Sequence, residues 1–174
     1  LLTSNNSYKM LLKQAKKFNV KNLVITDKKS FQILREKTKF TNIKVFNNFN
    51  NFNNLFKKKV DYTMSSISGI AGMEPTIKII KFSKIIAIAN KESIICGWNL
   101  IKAELKKNKT KFIPVDSEHF SLWYGLQNFS IKDVEKIFLT ASGGPFYKTP
   151  LKNFKKIKVS QALKHPNWKM GKKI

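Results

Sequence analysis

An α/β fold built on a parallel sheet is predicted for this chain by three observations. Short apolar runs alternate with longer segments of helical period, as βαβ units require. One run, Ile85-Ile86-Ala87-Ile88, is apolar on both faces, as a central parallel strand covered by helices should be. Polar or glycine-containing clusters directly follow several of the runs, at the strand ends where open α/β sheets bind ligands.

The elements follow in order. Residues 22–26 (Asn-Leu-Val-Ile-Thr) read as a strand and 28–37 as the helix after it. A strand over 62–67 runs into Ser68-Gly69-Ile70-Ala71-Gly72, where two glycines permit a tight turn and close backbone approach. Pro75 suits the first turn of the next helix, which ends near Phe82. The 85–88 strand leads to Ala89-Asn90-Lys91-Glu92-Ser93, and Ile94, Trp98, Ile101 and Leu105 then recur at three- and four-residue steps, the mark of an amphipathic helix. Residues 112–115 form a strand that delivers Asp116-Ser117-Glu118-His119. A strand over 136–140 precedes Ala141-Ser142-Gly143-Gly144-Pro145-Phe146, and a short helix over 159–164 is stopped by Pro166. The repeat Phe-Asn-Asn, three times from Phe46, reads as a tolerant connection without chemistry.

At 174 residues the chain can hold one ordinary domain or parts of two. Its formal charge of +24, from 34 Lys plus Arg against 10 Asp plus Glu, suggests a polyanion partner. Two features weaken that idea: Arg35 is the sole arginine, and the lysines are scattered among many Asn, Ile and Phe in the manner of a low-GC coding bias. A lysine-rich nucleic-acid-binding module on an α/β scaffold is therefore the second reading. No apolar run reaches the roughly 18 residues of a membrane span, and a cytoplasmic protein is the default expectation. The single cysteine, Cys96, cannot form an internal disulfide and reads as a small buried hydrophobe.

Each polar cluster has a plain reading and a chemical one. Asp116 and Glu118 alternate, so on extended backbone both project to one side and can hold a hard divalent cation; equally, Asp116 can cap a helix and Glu118 favour its first turn. Asn90-Lys91-Glu92 is either a helix start or part of a ligand site, with lysine the unexpected member at a positive helix end. Ser142-Gly143-Gly144 is a turn or an anion-binding nest. His165 and Trp168 around Pro166 form a helix stop or a lid that excludes water. His119 reads as structural.

Taken together and in this order, Ala89-Asn90-Lys91-Glu92-Ser93, Pro114-Val115-Asp116-Ser117-Glu118-His119, Ser142-Gly143-Gly144-Pro145-Phe146 and His165-Pro166-Asn167-Trp168-Lys169-Met170-Gly171 closely resemble the 1-deoxy-D-xylulose 5-phosphate reductoisomerases. The resemblance covers essentially the whole chain and is weakest between Phe31 and Lys59. It implies a partial Rossmann-like NADPH-binding domain over 1–115 and the beginning of an α+β metal and substrate domain over 116–174. It implies conversion of 1-deoxy-D-xylulose 5-phosphate to 2-C-methyl-D-erythritol 4-phosphate, with NADPH and Mg2+ or Mn2+. Asp116 and Glu118 match metal ligands. Lys91, Ser117, Glu118, Ser142, His165 and Trp168 match substrate contacts, with Glu118, Lys91 and His165 the catalytic choices. Ser4, Asn5, Asn6, Asn90, Glu92 and Gly171 match cofactor contacts. The family's partners are a small sugar phosphate and a second copy of the enzyme, with no nucleic acid or membrane. Its glycine-rich fingerprint is expected before Leu1, and its third metal carboxylate and remaining phosphate ligands after Ile174. The chain is accordingly read as an internal fragment, inactive alone.

Overall fold

The computed structural model describes residues 1–140 and 143–164. Two compact units divide between Phe129 and Ser130. The first holds two three-stranded parallel sheets, the only sheets among the described residues. One comprises β1 (Leu2–Ser4), β2 (Asn22–Ile25) and β3 (Lys44–Phe46) in that order; the other comprises β4 (Val60–Ser65), β5 (Ser83–Ile88) and β6 (Lys111–Pro114). Every pairing is parallel, with Leu2 opposite Leu23 and Ile86 between Thr63 and Phe112.

Helices make the crossovers: α1 (Tyr8–Lys17), α2 (Lys28–Lys37), α3 (Phe52–Leu55), α4 (Met73–Ile80) and α5 (Lys91–Asn108), with α6 (Ser117–Gly125) after β6. The α2 span is the one the sequence predicts, and Asp27 explains its start by accepting from the Ser30 amide at 2.7 Å. On α5 the buried positions Ile94, Gly97, Ile101 and Leu105 make one stripe. Cys96 lies off that stripe and is exposed, which corrects the reading of a buried thiol.

The two sheets have separate cores. Leu11, Ala15, Leu23, Ile25 and Leu34 bury the first, while Ile79, Ile80, Ile86, Ile88, Ile94, Ile101 and Leu105 join Phe52 in the second. Phe52 belongs to the Phe-Asn-Asn repeat, so that segment is not a passive connection. Its three-residue period brings Phe49 and Phe52 into edge contact at 5.9 Å, and Phe52 meets Phe56 and Phe82 at 5.8 and 6.2 Å. Phe46 meanwhile closes β3.

One cavity of about 370 Å3 lies between the free edges of the two sheets. Leu2 and Thr3 of β1 line it, as do Tyr62, Thr63 and Met64 of β4. Tyr62 and Met64 are half exposed, an unusual state for apolar residues on a strand of a parallel sheet.

In the second unit, Ile131–Asp133 and Leu151–Lys156 are 3-10 helices and Val159–Ala162 is a short α-helix, α7. The strand predicted over 136–140 does not form. Its apolar side chains Ile137, Phe138 and Leu139 stand in solvent with no neighbouring strand among the described residues, and an extended segment needs such a partner to become a strand. Among the described residues no helix is long and apolar enough to cross a membrane.

Candidate active site

The carboxyl ends of β5 and β6 are neighbours, Ile88 standing opposite Pro114, and the helices that follow them start side by side in the sheet order. Asn90 caps α5 through its Oδ1, which accepts from the Ser93 amide at 2.8 Å. Asp116 caps α6 in the same way, accepting from the His119 amide at 2.9 Å. The capping reading of both clusters is thus realised. Glu118 consequently sits in the first turn of a helix, and the extended i, i+2 geometry expected of Asp116 and Glu118 does not occur. Asp116 leaves the chain just before the helix and Glu118 just inside it.

What the caps bring together is chemical. Lys91 opens α5 and Glu118 lies in the first turn of α6; their side chains meet, Nζ standing 3.2 Å from both carboxylate oxygens. Both remain partly open to solvent, at 44% and 40% exposure. The Lys91 ammonium, out of place beside a positive helix end, has found an acidic partner there. Glu118 also accepts from the Ser117 hydroxyl at 2.9 Å. Its own backbone amide, that hydroxyl and Lys91 together lower its pKa to about 2.

Asp116 is different in kind. Its side chain is only 3% exposed, and both oxygens face His119 Nδ1, at 2.8 and 2.9 Å. His119 is therefore structural, as its position predicts, and it orients a buried carboxylate. Two carboxylates, one buried and oriented and one exposed and strongly ionised, are hard oxygen donors of the type that suits Mg2+ or Mn2+. Among the described residues no group of three or more His, Cys, Asp or Glu gathers to hold a metal.

The depressed Glu118 pKa carries a testable sign. A carboxyl group whose folded value lies below its unfolded one stabilises the folded state above the unfolded value, and loses that contribution as pH falls toward the folded value. Between the ordinary carboxylate range and about pH 2, Glu118 should stay largely ionised. Carbon-detected NMR titration should place it well below the ordinary glutamate range, and Lys91→Ala should recover only part of the difference, because the backbone amide and Ser117 remain. A Glu118 that titrates in the ordinary glutamate range contradicts the geometry.

At the front of the chain, Ser4, Asn5 and Asn6 lie at the carboxyl end of β1. Asn5 Oδ1 accepts from the Thr26 hydroxyl at 2.8 Å, and the Asn6 carbonyl accepts from Ser30 Oγ at 3.1 Å, so this loop is pinned to the end of β2. Glu92 lies in the first turn of α5, and the neighbouring Ser93 hydroxyl is fully buried without a hydrogen-bond partner. Gly143 and Gly144 both have positive φ, 77° and 64°, consistent with a glycine turn or nest. Ser142, His165, Trp168 and Gly171 lie outside the described residues. The sequence predicts a tight turn after β4 from its glycines but no contact for it, and in the structure Asn90 binds the Ile67 and Gly69 carbonyls there.

Comparison with known proteins agrees from end to end. Residues 1–97 match the family model described as 1-deoxy-D-xylulose 5-phosphate reductoisomerase, and residues 112–174 match the model of that enzyme's C-terminal domain. A curated reductoisomerase of this name from Pelagibacter ubique is 60% identical over 100% of this chain and 45% of its own length. Another, from Wolbachia pipientis of Culex pipiens, is 45% identical over 99% and 44% respectively. The chain thus spans less than half the length of these relatives. Among solved structures, the Zymomonas mobilis enzyme in complex with NADPH superposes with a TM-score of 0.81 at 31% identity, covering 95% of this chain and 44% of that one. A reductoisomerase bound to NADPH, fosmidomycin and magnesium gives 0.76 at 26% identity, covering 98% and 45%.

Proposed function

The chain belongs to the 1-deoxy-D-xylulose 5-phosphate reductoisomerase family, and from that premise we propose that the protein carrying it converts 1-deoxy-D-xylulose 5-phosphate to 2-C-methyl-D-erythritol 4-phosphate with NADPH and Mg2+ or Mn2+. The observation that carries the reading is the Lys91–Glu118 contact, which joins two motif clusters 27 residues apart at adjacent strand ends. The solved relatives with NADPH and magnesium support it.

Asp116 and Glu118 are the metal ligands, and Asp116 enters that role already oriented by His119. NADPH, when bound, supplies the hydride, and a divalent cation draws electron density from the oxygens of the rearranging substrate. The protein's own contribution is placement and charge. Lys91 holds a positive charge beside Glu118, where an oxygen-rich substrate gains from it. Ser117 and Glu118 present a hydroxyl and a carboxylate to the same substrate, Ser142 receives its phosphate, and His165 and Trp168 cover it. Ser4, Asn5, Asn6, Asn90, Glu92 and Gly171 form the cofactor side. A homodimer in the cytoplasm completes the proposal, both on family grounds.

The test is a coupled measurement on the complete enzyme: NADPH consumption should require both 1-deoxy-D-xylulose 5-phosphate and a divalent cation. Turnover that persists in excess chelator, or that prefers another sugar phosphate, counts against the assignment.

A further inference from the structure

Helix α5 is not one straight rod. Gly97 stands in it at φ −121° and ψ 15°, outside the helical range, and two helical halves meet there at a kink. Each half is anchored to something different. Downstream, Ile101 and Leu105 are buried in the second core, and the Trp98 ring lies 5.6 Å from that of Phe112 on β6. Upstream, Asn90 caps the first turn, Ser93 and Ile94 are buried, and Lys91 reaches across to Glu118 of α6. Packing holds the bend itself. Gly97 is buried against the start of α4, where a Cβ would stand 2.7 Å from Met73 Sδ and 3.1 Å from its Cγ. The dihedral angles are open to residues other than glycine, so the thioether, not the backbone, selects it. Glycine also resists regular helix more than any residue except proline, which favours a bend at this point.

We propose that Gly97 is a positioning residue: the kink it permits in α5 aims the first turn of that helix so that Lys91 meets Glu118 and the substrate. The claim rests on the functional reading above for the role of Lys91. Lys91 lies six residues before the kink, a lever of about 9 Å at the helical rise of about 1.5 Å per residue. Over that lever a bend of about 20°, the least that counts as a sharp kink, moves the helix start by about 3 Å. Such a shift is comparable to the whole 3.2 Å contact between Lys91 Nζ and the two Glu118 oxygens. A misplacement of about 1 Å at a reacting site already costs on the order of 10²-fold in rate.

Gly97→Ala in the complete enzyme tests the claim, because alanine favours a regular helix and sets a methyl group against Met73. Its kcat should fall by about tenfold to 10²-fold. A double-mutant cycle with Lys91→Ala tells aiming from general support of the fold. In the Lys91→Ala background no ammonium remains to be aimed, and Gly97→Ala should lower kcat further by less than about twofold. The full loss repeated in that background overturns the proposal, as does an unchanged kcat in Gly97→Ala alone. Met73→Ala opens the space beside the new methyl group, and the same cycle built on it carries the test if Gly97→Ala fails to fold. A crystal structure of Gly97→Ala reads the position with no substrate present: Lys91 Nζ should have left the Glu118 carboxylate. Lys91 still 3.2 Å from both oxygens overturns the proposal whatever the enzyme turns over. A wild-type enzyme that does not turn over 1-deoxy-D-xylulose 5-phosphate sinks the functional reading, while that crystal structure still decides what Gly97 does to Lys91.

Discussion

Replacing Asp116 with asparagine should lower turnover of the complete enzyme by about 10³-fold or more, the equivalent of the several kcal/mol that a bound cation contributes to such a reaction. The substitution is chosen for what it keeps. Asparagine has nearly the same shape and caps helices as well as aspartate does, so the bond from the His119 amide to Oδ1 survives and α6 should still form. The His119 ring can also still donate to that oxygen. What disappears is one formal negative charge from a side chain that is 3% exposed. Weakened Mn2+ binding, read by electron paramagnetic resonance with no substrate present, should accompany the kinetic loss while the melting temperature moves by only a few degrees. Full activity in Asp116→Asn removes Asp116 from the metal site; a large drop in melting temperature means that the residue matters as a cap instead.

Ile86→Ala should cost about 2 to 5 kcal/mol of stability, the range for emptying an isoleucine-sized space in a packed core. Ile86 is completely buried on β5, paired on both sides, and lies in the cluster that includes Ile80, Ile101 and Phe52. Because a typical domain is stable by only about 5 to 15 kcal/mol, the variant should expose its β5 amides to exchange far sooner than the parent. Native-state hydrogen exchange of those amides measures the effect without assuming that a multidomain enzyme unfolds in one step. A change below about 1 kcal/mol would show that the core around β5 closes over the gap, contrary to the close packing expected there.

The elements that obeyed one strong local rule were legible before any coordinates. The segment of helical period over 28–37 located α2, and a run apolar on both faces located β5. The failures arose where a partner decides the outcome. Residues 136–140 have strand-like composition, yet no neighbour turns that composition into a ladder. The Phe-Asn-Asn repeat resembled coding bias because nothing local says that Phe52 will pack on Phe56 and Phe82. In the site, the residue types were readable and their geometry was not. The sequence leaves Asp116 and Glu118 either on one side of an extended segment or at a helix start, and the chain turns into a helix between them and sends Glu118 to Lys91. The double occupation of Asn90 was equally invisible, since both its acceptors are backbone carbonyls more than twenty residues upstream.

The cavity between β1 and β4 bears on how the isolated 174-residue polypeptide behaves in a tube. Two free sheet edges, one of them carrying Tyr62 and Met64, are templates on which extended chain from another molecule can pair. The high positive charge opposes such encounters at low ionic strength, and added salt removes that protection. Light scattering from the isolated polypeptide should therefore rise with salt, the reverse of what a simple polycation releasing its counter-anion partners would show, and Met64→Lys on the open edge should suppress the rise.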